Sequence, residues 1–248
     1  MSARILAVDT TAEFGSIALG NEEVLLDAPE GFGGLIFDEI ERLLRHAGRR
    51  LEDLDGFAAA SGPGSFTGVR IGLACVKGLA EATGKAAFGI SNLAVLARFG
   101  SAEKRVPIID ARRGEVYAGL YDARGNALAP EVVCPFPKLL AQLPQERVEF
   151  ICQPLTAGPR SRSKGVADCA ASPRVGVAVS GEDFAPFEGA LAETPFAGCP
   201  VVTAPRALAA MVARMAIERL NAGECGDPAG LDANYVRRSD AELLFKPW

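Results

Sequence analysis

The run Ser61-Gly62-Pro63-Gly64-Ser65-Phe66-Thr67-Gly68-Val69-Arg70-Ile71-Gly72 places four glycines, a proline and three hydroxyls at the mouth of a helix. Upstream, Leu54 to Ala60 is a small-residue apolar run suited to a buried strand. Downstream, Val69, Leu73, Val76 and Ala80 recur at helical spacing. The stretch therefore reads as a strand-to-helix elbow, with glycines for unusual backbone angles and Ser65 or Thr67 as the helix cap. Free N–H groups at such an end attract phosphate or carboxylate.

Around the elbow, strands are expected over Ile5 to Thr10, Ser16 to Leu19 and Val24 to Asp27, with a turn through Glu13-Phe14-Gly15. A helix is expected from Leu35 to His46, because Leu35, Ile36, Ile40, Leu43 and Leu44 fall on one face. A strand at Ala86 to Ile90 and a helix at Asn92 to Phe99, capped by Ser91, follow the elbow helix. The order strand, aspartate, turn, strand, turn, strand then returns in Val106 to Asp110, Glu115 to Tyr121 and Ala127 to Val133, a faint internal duplication. Residues 154–173, rich in Ser, Arg, Gly and Pro, read as a loop, and order resumes with strands at 175–179 and 200–202. Pro205 is expected to open a last helix running to Asn221. Two copies of a three-stranded antiparallel unit leading into strand-helix alternation imply two α/β domains, each a mixed sheet covered by helices.

Composition narrows the chemistry. With 26 basic and 31 acidic residues and a net charge of −5, the chain is not built to grip nucleic acid over its whole surface. The six cysteines contain no Cys-x-x-Cys pair, so neither a zinc framework nor a redox motif is written here. The single histidine, His46, sits in the last turn of its helix, where the dipole favours a capping or surface role; imidazole metal sites usually need partners at fixed spacing. Gly64-Ser65-Phe66 lacks the Gly-x-Ser-x-Gly elbow, and no Gly-Lys-Ser or Gly-Lys-Thr follows the glycines, which removes a serine hydrolase and a Walker-type loop. No run is long and apolar enough to span a bilayer, so the expected setting is cytoplasmic.

The elbow, together with Arg4-Ile5-Leu6-Ala7-Val8-Asp9-Thr10-Thr11, Gly15-Ser16-Ile17-Ala18-Leu19 and Pro107 to Tyr117, resembles the TsaB (YeaZ) family. The resemblance implies two actin-like (ribonuclease H-like) domains and a bacterial subunit of the machinery that makes threonylcarbamoyladenosine on tRNA. It also implies domain limits of 1–103, 104–203 and 204–248, the last a helix and tail. The implied role is a non-catalytic scaffold for a TsaD-like catalytic subunit, with a TsaE-like ATPase, a possible homodimer, and tRNA met only through the complex. Pairing would run through the two early helices, at Leu35, Ile36, Ile40, Leu43, Leu44, Val69, Leu73, Val76 and Ala80. Leu73→Asp or Val76→Glu is then expected to abolish pairing and spare the fold.

Asp9 is the sharpest catalytic candidate. With Thr10, Thr11, Gly62, Gly64, Ser65 and Thr67 it would form a vestigial nucleotide loop; ATP and magnesium are expected only in the complex, with none held tightly by this chain alone. The plain alternative is that Asp9, like Asp110, bonds the backbone of its own turn. The rival function is an actin-like ATPase or small-molecule kinase that acts alone.

Overall fold

The computed structural model describes residues 3–28, 31–153 and 191–236; the loop expected at 154–173 and the strand at 175–179 lie outside them. The described chain builds two five-stranded sheets. The first contains β1 (Ile5–Asp9), β2 (Phe14–Leu19), β3 (Glu22–Asp27), β4 (Gly56–Ala60) and β5 (Ala86–Ile90) in the order β3-β2-β1-β4-β5. The second contains β6 (Arg105–Arg112), β7 (Glu115–Ala118), β8 (Val132–Pro135), β9 (Glu149–Cys152) and β10 (Val201–Thr203) in the order β10-β9-β6-β7-β8. Read from the other edge, the second order repeats the first. In both, a three-stranded antiparallel meander continues into two parallel strands. The faint sequence duplication is thus a duplication of topology, and both units are the mixed sheets expected of actin-like domains.

Helices α1 (Ile36–His46) and α2 (Phe66–Thr83) share a core with the first sheet through Ile36, Ile40, Leu43, Leu44, Val69, Leu73 and Val76, packed with Leu6, Val8, Ile17 and Phe57. Ser65 caps α2 by accepting from Gly68 N at 3.3 Å, and Gly84 ends the helix in a left-handed conformation at φ 65°. Two further helices, α3 (Asn92–Ala97) and α5 (Ala209–Asn221), join a second core with Ile5, Ala7, Ala58 and Phe88 from the first sheet and Ile151 from the second. Between them in sequence, α4 (Phe136–Gln142) covers the other face of the second sheet with Phe136, Leu139 and Leu140. Layers therefore run from α1 and α2, through the first sheet, to α3 and α5, then the second sheet and α4. The helix of segment 204–248 lies on the first sheet.

Several boundaries differ from the sequence reading. Phe14 and Gly15 belong to β2 and not to a turn, and β7 ends at Ala118. Residues expected as a strand from Ala127 reach β8 only at Val132. The last helix begins at Ala209, not at Pro205, because its N-terminus is met by distant side chains. Ser16 Oγ accepts from Leu208 N at 3.1 Å and from Ala209 N at 2.9 Å, and Glu23 accepts from Ala210 N at 3.0 Å. Among the described residues no helix is long and apolar enough to cross a membrane.

Candidate functional site

Asp9 closes β1 and is 1% exposed. Thr11 donates both its N–H, at 2.9 Å, and its hydroxyl, at 2.7 Å, to Asp9 Oδ1, while Asp9 Oδ2 has no hydrogen-bond partner. A bare oxygen on a buried carboxylate is costly when charged. Burial accordingly pushes the Asp9 carboxyl above the ordinary carboxylate range, against the pull of the two Thr11 bonds. Glu23 on β3 is raised too, chiefly by burial, with bonds from Ala210, Ser16 and Ala209 opposing and the Asp9 charge adding.

The elbow lies directly on the turn that follows Asp9. Ser65 N donates to Thr11 O at 2.7 Å, and the Thr10 hydroxyl donates to Gly68 O at 2.7 Å. A Cβ on Gly64 would stand 2.5 Å from Thr11 O, one on Gly68 1.8 Å from Thr10 O, and one on Gly72 2.7 Å from Thr10 Oγ1. Gly68 and Gly72 therefore admit the end of β1. Gly62, at φ 98°, turns the chain into a cis Gly62-Pro63 bond. The expected loop residues Asp9, Thr10, Thr11, Gly62, Gly64 and Ser65 are brought together, whereas Thr67 points into the exposed first turn of α2.

Asn92, which sequence reasoning passed over, binds the two halves of this site. Its Nδ2 donates to Thr11 Oγ1 at 2.5 Å, its Oδ1 accepts from Gly62 N at 2.9 Å, and its own N–H donates to Gly62 O at 2.8 Å. The available signal was a polar residue inside the apolar run Asn92-Leu93-Ala94-Val95-Leu96, since a buried amide requires partners.

A magnesium nucleotide does not fit this arrangement. Magnesium takes a carboxylate together with several waters in an octahedral shell, and the Asp9 carboxylate is 1% exposed and bonded to Thr11 of its own turn. Among the described residues no group of three or more His, Cys, Asp or Glu is placed to hold a metal. A cavity of about 690 Å³ lies at the C-terminal ends of α2 and α5, lined by Glu81, Lys85, Cys225 and Asp227 among others, and shares no residue with the elbow. Asp110, at the matching position of the second sheet, is exposed and accepts from Arg112 N at 2.8 Å, as a turn aspartate does.

The helix stripes expected to meet a partner are buried inside the chain's own first core. Ile36, Ile40, Leu43, Leu44, Val69, Leu73, Val76 and Ala80 are all buried, and Leu35 packs against them half-buried. Leu73→Asp and Val76→Glu therefore report on folding and not on docking. The outer faces of the same helices carry Phe37, 54% exposed, and Phe66, 52% exposed. Phe66 is covered on one face by the Arg70 guanidinium, 3.7 Å from its ring centroid, and lies 5.8 Å from the Tyr235 ring.

A family model described as TsaD: tRNA N6-adenosine threonylcarbamoyltransferase matches residues 34–193, more than half of the chain. The tRNA threonylcarbamoyladenosine biosynthesis protein TsaB of Escherichia coli K12 is 36% identical over 133 residues, 50% of this chain and 58% of its own. Its Bacillus subtilis 168 counterpart is 35% identical over 136 residues, 52% of this chain and 59% of its own. The chain thus spans less than two thirds of the length of either relative. A crystal structure of an uncharacterized Pseudomonas aeruginosa protein with similarity to peptidase YEAZ aligns with a TM-score of 0.71 at 23% identity, covering 95% of this chain and 100% of that one. The fold is shared across both domains.

Proposed function

We propose a function from one premise: the chain belongs to the TsaD family, tRNA N6-adenosine threonylcarbamoyltransferase, by the match over residues 34–193. Within it, the chain acts as a non-catalytic subunit that pairs with a TsaD-like catalytic subunit and supports threonylcarbamoyl transfer to N6 of adenosine 37 in tRNA. Its similarity to proteins named for threonylcarbamoyladenosine biosynthesis supports that pathway. A partner that binds the competent state of an enzyme better than the incompetent one shifts its population by that differential affinity, with no residue of the partner in the chemistry.

The observation that carries this reading is the closed elbow. Asp9 is buried and bonded to Thr11 of its own turn, and the elbow packs on Thr11 and Thr10 at Gly64 and Gly68, so the Asp9 carboxylate is closed off within the chain. ATP and magnesium belong to the complex and not to this chain. Docking uses the outer faces of α1 and α2, where Phe37 and Phe66 are exposed. A TsaE-like ATPase, a homodimer in the absence of the partner, contact with tRNA only through the complex, and a cytoplasmic setting complete the reading.

The second reading, an ATPase or small-molecule kinase acting alone, is favoured by one observation, the bare Asp9 Oδ2. It requires the buried Asp9 carboxylate to become accessible to a ligand. Size-exclusion chromatography with light scattering tests the first reading on the chain mixed with its host's TsaD-like protein. A one-to-one complex is expected, and two unassociated species would overturn it.

A further inference from the structure

Three donors from separate parts of the chain converge on one carboxylate. Glu131 lies, partly buried, at the end of the segment joining β7 to β8 in the second unit. Ser91 Oγ, at the end of β5 in the first unit, donates to Glu131 Oε1 at 2.5 Å, and the Tyr121 hydroxyl donates to the same oxygen. Asn234 Nδ2, from the segment that follows α5, donates to Glu131 Oε2 at 2.7 Å.

The segment that carries Asn234 is a strap along the free edge of β5. Gly226 O accepts from Ala87 N at 3.0 Å, and Leu231 is buried against Gly89. Asn234 N donates to Ser61 O at 2.8 Å, which fixes the strap to the start of the elbow. Asn92 continues the chain of bonds from Gly62 to Thr11 and so to Asp9. Tyr121 meanwhile is 2% exposed, packs with Leu93 and Ala97 of α3, and pairs its backbone with Arg105 in both directions at 2.9 Å. The covalent crossing between the units is held separately, by Arg105 donating to Ala97 O, Ala102 O and Ala123 O and by Glu149 accepting from Ser101 and Ala102.

We propose that Glu131 is an interdomain clasp, whose carboxylate holds the β7–β8 segment to Ser91 and to the strap at Asn234, so that elbow, strap and second sheet form one body. Bonds to a charged acceptor are about twice as strong as neutral ones, and three donors on one acceptor make their loss collective. Removing the carboxylate takes the acceptor from the buried Tyr121 hydroxyl and the Ser91 hydroxyl and leaves the Asn234 amide only its longer bond of 3.4 Å to Gly62 O. The clasp holds whether or not the chain docks on a catalytic subunit.

Hydrogen exchange by mass spectrometry on the full chain tests the clasp. In Glu131→Ala, peptides covering 227–236 and 119–131 are expected to exchange at least about tenfold faster, while those covering β1 and β4 keep wild-type protection. Asn234→Ala, which removes the bond to Glu131 together with the longer bond of 3.4 Å from the same amide to Gly62 O, should free the strap similarly and the β7–β8 segment less. Unchanged strap exchange in both variants overturns the proposal. So does a uniform rise across both sheets, which marks Glu131 as a contributor to global stability and not a clasp. If Glu131→Ala does not fold, Asn234→Ala decides alone.

Discussion

Thr10 and Gly68 meet so closely that the Thr10 hydroxyl donates to the Gly68 carbonyl at 2.7 Å, and a methyl group at position 68 would stand 1.8 Å from the Thr10 carbonyl oxygen. Both contacts are to backbone, which cannot swing aside. Gly68→Ala is therefore expected to destabilise the fold by about 3 kcal/mol, overpacking outweighing the gain of about 1 kcal/mol from alanine's helix propensity. Urea denaturation reads the difference; a neutral or stabilised variant would mean that the elbow does not rest on β1.

Ser65 caps α2 through Gly68 N at 3.3 Å. Ser65→Ala should cost about 1 kcal/mol, and Ser65→Asp should restore most of it, since aspartate caps as well and suits the helix N-terminus. Loss of stability in the aspartate variant equal to that in alanine would contradict a capping role.

Asp9 supplies a pH signature. Its folded-state pKa is raised by burial, so the native state keeps the proton to higher pH than the unfolded chain does. The resulting stabilisation is complete below the ordinary carboxylate range and is lost as pH rises through the folded pKa. Asp9→Asn, which cannot ionise and keeps an acceptor for Thr11, should be more stable than the parent at about pH 8, with the gap closing toward about pH 4. Denaturant midpoints across that range check the sign. A gap that widens on acidification would mean that Asp9 is stabilised as the anion.

The two faces of α2 should answer differently to the same chemical insult. Leu73 is buried against the first sheet, so Leu73→Asp should unfold the chain, a lone buried charge costing several kilocalories. Phe66→Asp and Phe37→Asp change exposed side chains and should leave the circular dichroism spectrum and melting temperature near the parent while abolishing association with a TsaD-like subunit. Retained association in both would place the docking surface elsewhere.

Much of this architecture was legible in the chain. Runs of small apolar residues marked Gly56–Ala60 and Ala86–Ile90 as strands, one inside the first sheet and one at its edge, and the repeated strand-aspartate-turn order foretold the matching topology of the two sheets. The stripes on α1 and α2 were visible, but periodicity states that a face is apolar and not which neighbour covers it. The start of α5 was misplaced because Ser16 and Glu23, nearly two hundred residues away, cap it. Helix α4 and strand β9 went unread: Phe136–Gln142 and Glu149–Cys152 are short, and the first carries a proline in its opening turn. The bonds linking Gly62 to Asn92 and Asn234 to Glu131 span 30 and 103 residues, separations at which no local pattern operates. Asp9 could be singled out at the end of its strand, but the packing of the elbow on the next residue, Thr10, comes from more than fifty residues downstream.

Calorimetric titration with magnesium and ATP tests the central claim most directly, on the purified chain alone and on its mixture with the host's TsaD-like protein. The closed elbow predicts no binding by the chain alone and one nucleotide site per heterodimer in the mixture. Tight binding by the chain alone, lost in Asp9→Ala, would contradict the scaffold and make the elbow a working nucleotide site.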